Sequence, residues 1–303
     1  MKKLVFSIAF LFIVTGLFAQ QQPLYSQYLL NGFLLNPAMA GSESYIPIRI
    51  TARDQWEGIK GAPRTLAVSG HTQLAGQKMG VGGYIYTDAF GPISRTGLMA
   101  SYAYHLMLHK IDSKLAFGLS VSAFQYKVDQ SNLILKDDIG MDNALSGGVE
   151  TSFAPDACFG AYLYRPNYFV GIAATQLIEY DLGLNDNNVN SMVRHYYFSG
   201  GYKFKLNDKF DIEPSLLVKT TEETPAQVDI NVKTYFMENY WLAISYRTSK
   251  AMVAVLGIKY DMFYLGYAFD WTFGKISEYS TGSHEIVLGV NLGENKVKGS
   301  SLL

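Results

Sequence analysis

The sequence predicts an all-β fold: a transmembrane antiparallel β-barrel of about 14 strands, preceded by a short N-terminal segment outside the barrel. Four observations predict it. Between Thr96 and Tyr126 two alternating runs flank a polar turn. Leu98, Ala100, Tyr102, Tyr104 and Leu106 share one face of the first run, and Leu115, Phe117, Leu119, Val121 and Ala123 share one face of the second. Each run lasts about ten residues, the span of a tilted strand across a bilayer. The opposite face carries small and polar side chains such as Gly97, Ser101, Gly118 and Ser120, where a soluble sandwich would need core-filling ones. Finally, the connections sort by parity. Leu74–Lys78, Leu108–Lys114, Pro166-Asn167, Asn207–Lys209, Glu238-Asn239 and the break near Asp261 are short and fall at one end. Asp129–Pro155, Glu179–Met192 and Gly274–Ser283 are the three longest and fall at the other. Short periplasmic turns and long outward loops are the asymmetry of an outer-membrane barrel.

Taken in order, Met1-Lys2-Lys3, the apolar run Leu4–Phe18 and Ala19-Gln20 read as a cleavable secretory signal over 1–19, because the apolar stretch is short for a membrane-spanning helix. Residues 20–44 form a periplasmic or mouth-packing segment. In it Leu29, Leu30, Phe33 and Leu34 would line one side of a short helix stopped by Asn36-Pro37, and would cover the barrel mouth or dock a partner. The barrel spans 45–293. Its first strand opposes Ile46, Ile48, Ile50 and Ala52 to Arg49, Thr51, Arg53 and Gln55. Strands follow at Thr65–Gln73, Met79–Asp88, the two central runs, Asp156–Arg165, Tyr168–Ile178, Val193–Leu206, Phe210–Lys219, Ala226–Met237, Tyr240–Ser249, Ala251–Asp261, Met262–Phe273 and His284–Gly293. Residues 294–303 are a polar tail.

Alternation also places the ionisable groups. Arg49, Arg53, His105, His195, Lys203, Asp229, Lys233, Arg247, Lys259 and Glu285 oppose their strands' apolar residues and therefore face the interior. Tyr102, Tyr104, Tyr162, Tyr164, Tyr260 and Tyr267 are expected in the interfacial aromatic girdles. An interior of this strand number needs either a plug or water.

Composition narrows the function. With a net charge of -1 there is no basic field to hold nucleic acid. The single cysteine, Cys158, excludes a disulfide within one copy and reads as a small hydrophobe. No glycine pattern of a nucleophile elbow surrounds any serine, so no catalytic residue is assigned. His105 and His109 have metal-ligand spacing only on a helix, and this segment is a strand. The Asp137–Asn143 and Asn185–Asn188 runs lack a calcium-loop pattern and read as solvated loops. Gly80-Val81-Gly82-Gly83 has no phosphate-binding lysine and reads as strand glycines thinning the lumen wall. No cofactor or metal is expected.

A resemblance sharpens this. Gln27-Tyr28, Asn36-Pro37-Ala38-Met39-Ala40-Gly41, Arg53-Asp54-Gln55-Trp56-Glu57-Gly58 and Gly61-Ala62-Pro63-Arg64-Thr65 resemble the opening of the PorP/SprF family of type IX secretion system membrane proteins. Tyr102–Leu106, Arg194-His195-Tyr196-Tyr197, Pro214–Lys219, Tyr246-Arg247, Gly266–Asp270 and Gly282-Ser283-His284-Glu285 continue it. The resemblance implies a Bacteroidota-type outer-membrane barrel, surrounded by outer-membrane lipid. Its partners would be type IX machinery components and a secreted cargo protein, such as an adhesin, with a C-terminal sorting domain. Arg49, Arg53, His105 and Arg247 are the lumen-facing candidates for holding a partner segment. Asn36, Pro37, Gly41, Gln55, Trp56, Gly58, Arg194, His195, Ser283, His284 and Glu285 are the motif positions. A passive diffusion channel for small solutes is the alternative function, and a lipid hydrolase relying on a histidine is a third.

Overall fold

The computed structural model describes residues 28, 31–74, 76, 78–131, 148–180, 192–222 and 224–293. The signal segment, Leu29, Leu30, the Asp137 and Asn185 runs and the tail lie outside the described residues. Among the described residues fifteen strands run in chain order: β1 (Ile46–Glu57), β2 (Arg64–Gln73), β3 (Met79–Phe90), β4 (Ile93–Leu108), β5 (Ser113–Asp129), β6 (Val149–Arg165), β7 (Tyr168–Thr175), β8 (His195–Tyr202), β9 (Phe204–Lys205), β10 (Phe210–Thr221), β11 (Gln227–Phe236), β12 (Tyr240–Arg247), β13 (Ala251–Tyr260), β14 (Phe263–Thr272) and β15 (Gly282–Leu292). They form one antiparallel sheet that closes when β1 pairs with β15, from Ile46 opposite Leu292 to Arg53 opposite Glu285.

β8 and β9 are one interrupted stave. Both pair with β10, and the gap between Gly201 opposite Ser215 and Phe204 opposite Ile212 contains Pro214, which has no N–H to give to the ladder. Counting that stave once gives a closed barrel of fourteen strands, β9 being the extra short one.

The faces follow the pleat. Along β4 buried and exposed residues alternate through its middle, with Leu98 and Tyr102 outward and Met99, Ala103 and His105 inward. Val121, midway along β5, is 62% exposed on the outer wall while Ala116 and Ser120 are buried. Val121→Arg is expected to lower barrel stability by about 2–4 kcal/mol, because the cation meets hydrocarbon near the midplane. Thr151→Arg, on the outer face at the start of β6 near the long-loop end, is expected to cost only about 0–1 kcal/mol. Urea titrations of the protein refolded in lipid vesicles check both.

Two expectations need correcting. β6 begins at Val149, seven residues before Asp156, with Val149 paired to Asp129. The alternation was disguised there by Pro155 and by polar inward residues Glu150 and Ser152. Tyr162 and Tyr164 also leave the girdle: on β6 it is Phe159, Ala161 and Leu163 that share the outward parity. Tyr162 is buried in the lumen, and Tyr164 bonds His105. Tyr102, Tyr104 and Tyr260 are exposed on the outer wall.

Candidate functional site: the filled lumen and its rim

The segment before β1 does not cap the mouth. It enters the lumen as two single 3-10 turns, Gly32–Leu34 and Pro37–Met39, in place of one helix. Asn36 explains the break. Its Oδ1 accepts from the Ala38 amide at 2.9 Å, capping a turn that Pro37 opens, and its Nδ2 donates to the carbonyls of Ala161 and Ile172 at 3.1 and 3.2 Å. Asn36 thus ties the plug to the seam between β6 and β7.

The plug sits on wall positions that have no side chain. A Cβ on Gly118 would lie 2.2 Å from the Ala38 nitrogen, and one on Gly80 would lie 2.0 Å from the Ala40 carbonyl oxygen. These glycines are the close approach of one backbone to another. Phe33, Ala38, Met39 and Ala40 are buried against them. Polar ties complete the seat. Asn31 Nδ2 donates to Ser69 Oγ at 2.9 Å, the Gly41 amide donates to His71 Nδ1 at 3.1 Å, and Tyr28 Oη donates to Asn231 Oδ1 at 3.0 Å. His105 Nε2 lies 2.9 Å from the Ala40 carbonyl, which can only accept; the proton is therefore on Nε2, and Nδ1 accepts from Tyr164 Oη at 2.9 Å. A cavity of about 40 Å³ remains between the plug and the wall near Tyr197 and Ser215.

A buried ionic lattice crosses the other half of the lumen, toward the long-loop end. Arg53 pairs with Asp270 at 2.8 Å and Glu285 at 3.0 Å, and Arg247 pairs with Asp229 at 3.1 Å and Asp270 at 3.4 Å. Asp270 links the two arginines, so β1, β11, β12, β14 and β15 are joined through charge. Arg49 donates to Asn291 Oδ1 at 2.6 Å and lies over the Tyr264 ring at 4.5 Å. All four lumen candidates, Arg49, Arg53, His105 and Arg247, therefore face the interior and are engaged by the barrel or its plug.

Sequence reasoning missed Asp270, the hub of this lattice, and Glu213, which is fully buried and accepts from Tyr235 Oη. Parity could have found Asp270, because Phe269 and Trp271 flank it on the opposite face.

A family model described as "Type IX secretion system membrane protein PorP/SprF" matches residues 17–290. The chain belongs to the PorP/SprF family. A search of curated proteins returned no significant match. Among solved structures, the TodX deltaS2S3 mutant monoaromatic hydrocarbon channel aligns with a TM-score of 0.54 at 9% identity, covering 87% of this chain and 94% of that one. The CymD monoaromatic hydrocarbon channel aligns with a TM-score of 0.50 at 12% identity, covering 86% and 91%. At these identities the likeness is one of fold.

In this PorP/SprF protein the motif positions sort into three places. Asn36, Pro37 and Gly41 belong to the plug. Gln55, Trp56, Gly58, Ser283, His284 and Glu285 meet where β1 and β15 close the barrel. Trp56 adopts a φ of 54° there and its amide donates to Ser283 Oγ at 3.1 Å, while His284 Nε2 lies 3.0 Å from Glu57 Oε2 and its Nδ1 2.7 Å from Tyr267 Oη. Arg194 lies at the rim and pairs with Glu179 at 2.9 Å and Glu222 at 3.4 Å; His195 opens β8 with its ring buried and Nδ1 2.9 Å from the Val193 carbonyl.

Proposed function

We propose that this protein is a non-enzymatic, closed outer-membrane accessory of the type IX secretion system, which assists export or surface attachment of a secreted cargo protein such as an adhesin with a C-terminal sorting domain. The observation that carries the reading is the occupied lumen: the chain's own residues 31–45 and the Arg53–Asp270–Arg247 lattice fill the space that a transport path would need. Removal of residues 1–19 would deliver the chain to the outer membrane, with its short turns in the periplasm. Because Arg53 and Arg247 are held by carboxylates and Arg49 by Asn291 of the same barrel, the partner-bearing surface is assigned to the outward rim around Glu179, Arg194 and Glu222, with translocon components and cargo as the partners.

Purified full-length protein in planar bilayers is expected to show no stable ion conductance, and deletion of its gene is expected to remove a cargo protein from the cell surface. Steady conductance in the wild type together with unaltered surface protein would favour the passive diffusion channel instead. Lipid hydrolysis abolished by changing one histidine would favour the hydrolase.

A further inference from the structure

The outer wall carries a trough at the closing seam. Two cross-strand rows of outward side chains run over β13, β14, β15 and β1, each residue being the register partner of the next. One row runs from Tyr260 through Phe263 to Ile48, and the other from Ile258 through Leu288 to Ile50. Between them the lumen-facing positions Tyr264 and Gly289 supply only backbone to the outside and form the floor. Gly289 has no side chain, and a Cβ there would lie 2.7 Å from Arg49 Cδ, so the wall is thin at this point and backed by the arginine. The hollow measures about 370 Å³, and among the described residues no charged side chain lines it. Tyr260, 78% exposed at the short-turn end, stands on its rim.

We propose that this trough seats one acyl chain of a phospholipid. The occupant follows from where the hollow faces. Its lining belongs to the apolar outer wall, and an apolar hollow in hydrocarbon is filled by hydrocarbon, because water there would have no polar partner and a void would forfeit dispersion contacts. The rows run perpendicular to strands that tilt by about 35–45° in such barrels, so the trough climbs the wall and follows a chain descending from the headgroup region. Tyr260 marks the entry, with an aromatic ring suited to the interface. The inner leaflet is the source, a point that rests on the orientation given under the proposed function.

The test uses full-length protein in nanodiscs of palmitoyl-oleoyl phosphatidylethanolamine, released into the gas phase for native mass spectrometry. The wild type is expected to retain one lipid. Ile50→Trp and Leu288→Trp, which fill the trough, are expected to lower the retained fraction about tenfold. Val121→Trp on β5 is expected to leave it unchanged, with heat-modifiable migration showing that all three variants are folded. No retained lipid on the wild type, or equal loss in all three variants, overturns the proposal. Protein from native membranes that instead carries the acylated anchor of another polypeptide overturns the phospholipid assignment. None of these readouts depends on cargo secretion, so the seat and the secretion role fail separately.

Discussion

Gly80→Ala combined with Gly118→Ala is expected to convert a closed barrel into a conducting one. Both methyl groups would fall within 2.2 Å of plug backbone, at the Ala40 carbonyl and the Ala38 amide, where no side chain can swing aside. Overpacking of this kind costs about 1–3 kcal/mol per site, and the plug can escape it by leaving its seat. The strands of the wall need not move, so heat-modifiable migration should persist while planar bilayers show conductance steps absent from the wild type. Asn36→Ala should act in the same direction by removing the turn cap and both bonds to the β6–β7 seam. Gly200→Ala is the control, since its new methyl would find its nearest neighbour at an ordinary 3.6 Å. A double variant that stays closed would show that the segment is held by something other than its glycine seat.

Arg53→Ala is expected to be the most destabilising single charge removal in the barrel. Arg53 is bonded to Asp270 and Glu285 at side-chain exposures of 2% or less, so truncation takes the guanidinium from buried Glu285 and one of two from buried Asp270, which keeps Arg247. Breaking a buried pair from one side costs about 3–5 kcal/mol. Arg64→Ala supplies the comparison: its pair with Asp54 is 77% and 42% exposed, and its loss should cost less than about 1 kcal/mol. Urea midpoints in vesicles separate the two. If Arg53→Ala unfolds at the midpoint of Arg64→Ala, Asp270 and Glu285 are satisfied by other partners and the lattice does not brace the wall.

The barrel was legible in the sequence because its code is local. In β4 and β5 the period of two is visible within a single strand, and sorting loops by end needs only their lengths. The lumen-facing parity of Arg49, Arg53, Arg247 and Glu285 followed from their apolar neighbours. The plug was not legible. Asn36-Pro37 signals a stop wherever it occurs, and Gly80, Gly118 and Gly160 look like ordinary strand glycines one strand at a time. That they form a common seat depends on strands β3, β5 and β6 meeting around a lumen, which no window of sequence contains. Tyr162 failed for a different reason: an aromatic residue near a strand end suits a girdle or a lumen equally, and only the parity it shares with Asp156, Cys158 and Gly160, opposite Phe159 and Leu163, decides.

The partners that brace β1 are far along the chain. Arg53 is separated by 217 residues from Asp270 and by 232 from Glu285. Contacts of such long sequence separation form late, because the intervening chain must be ordered first. A polypeptide truncated before β15 would lack Glu285 and leave the facing edges of β1 and β14 unpaired, so the closed cylinder needs the last strand. The Arg53 ion pairs thereby brace only a barrel whose last two strands are in place.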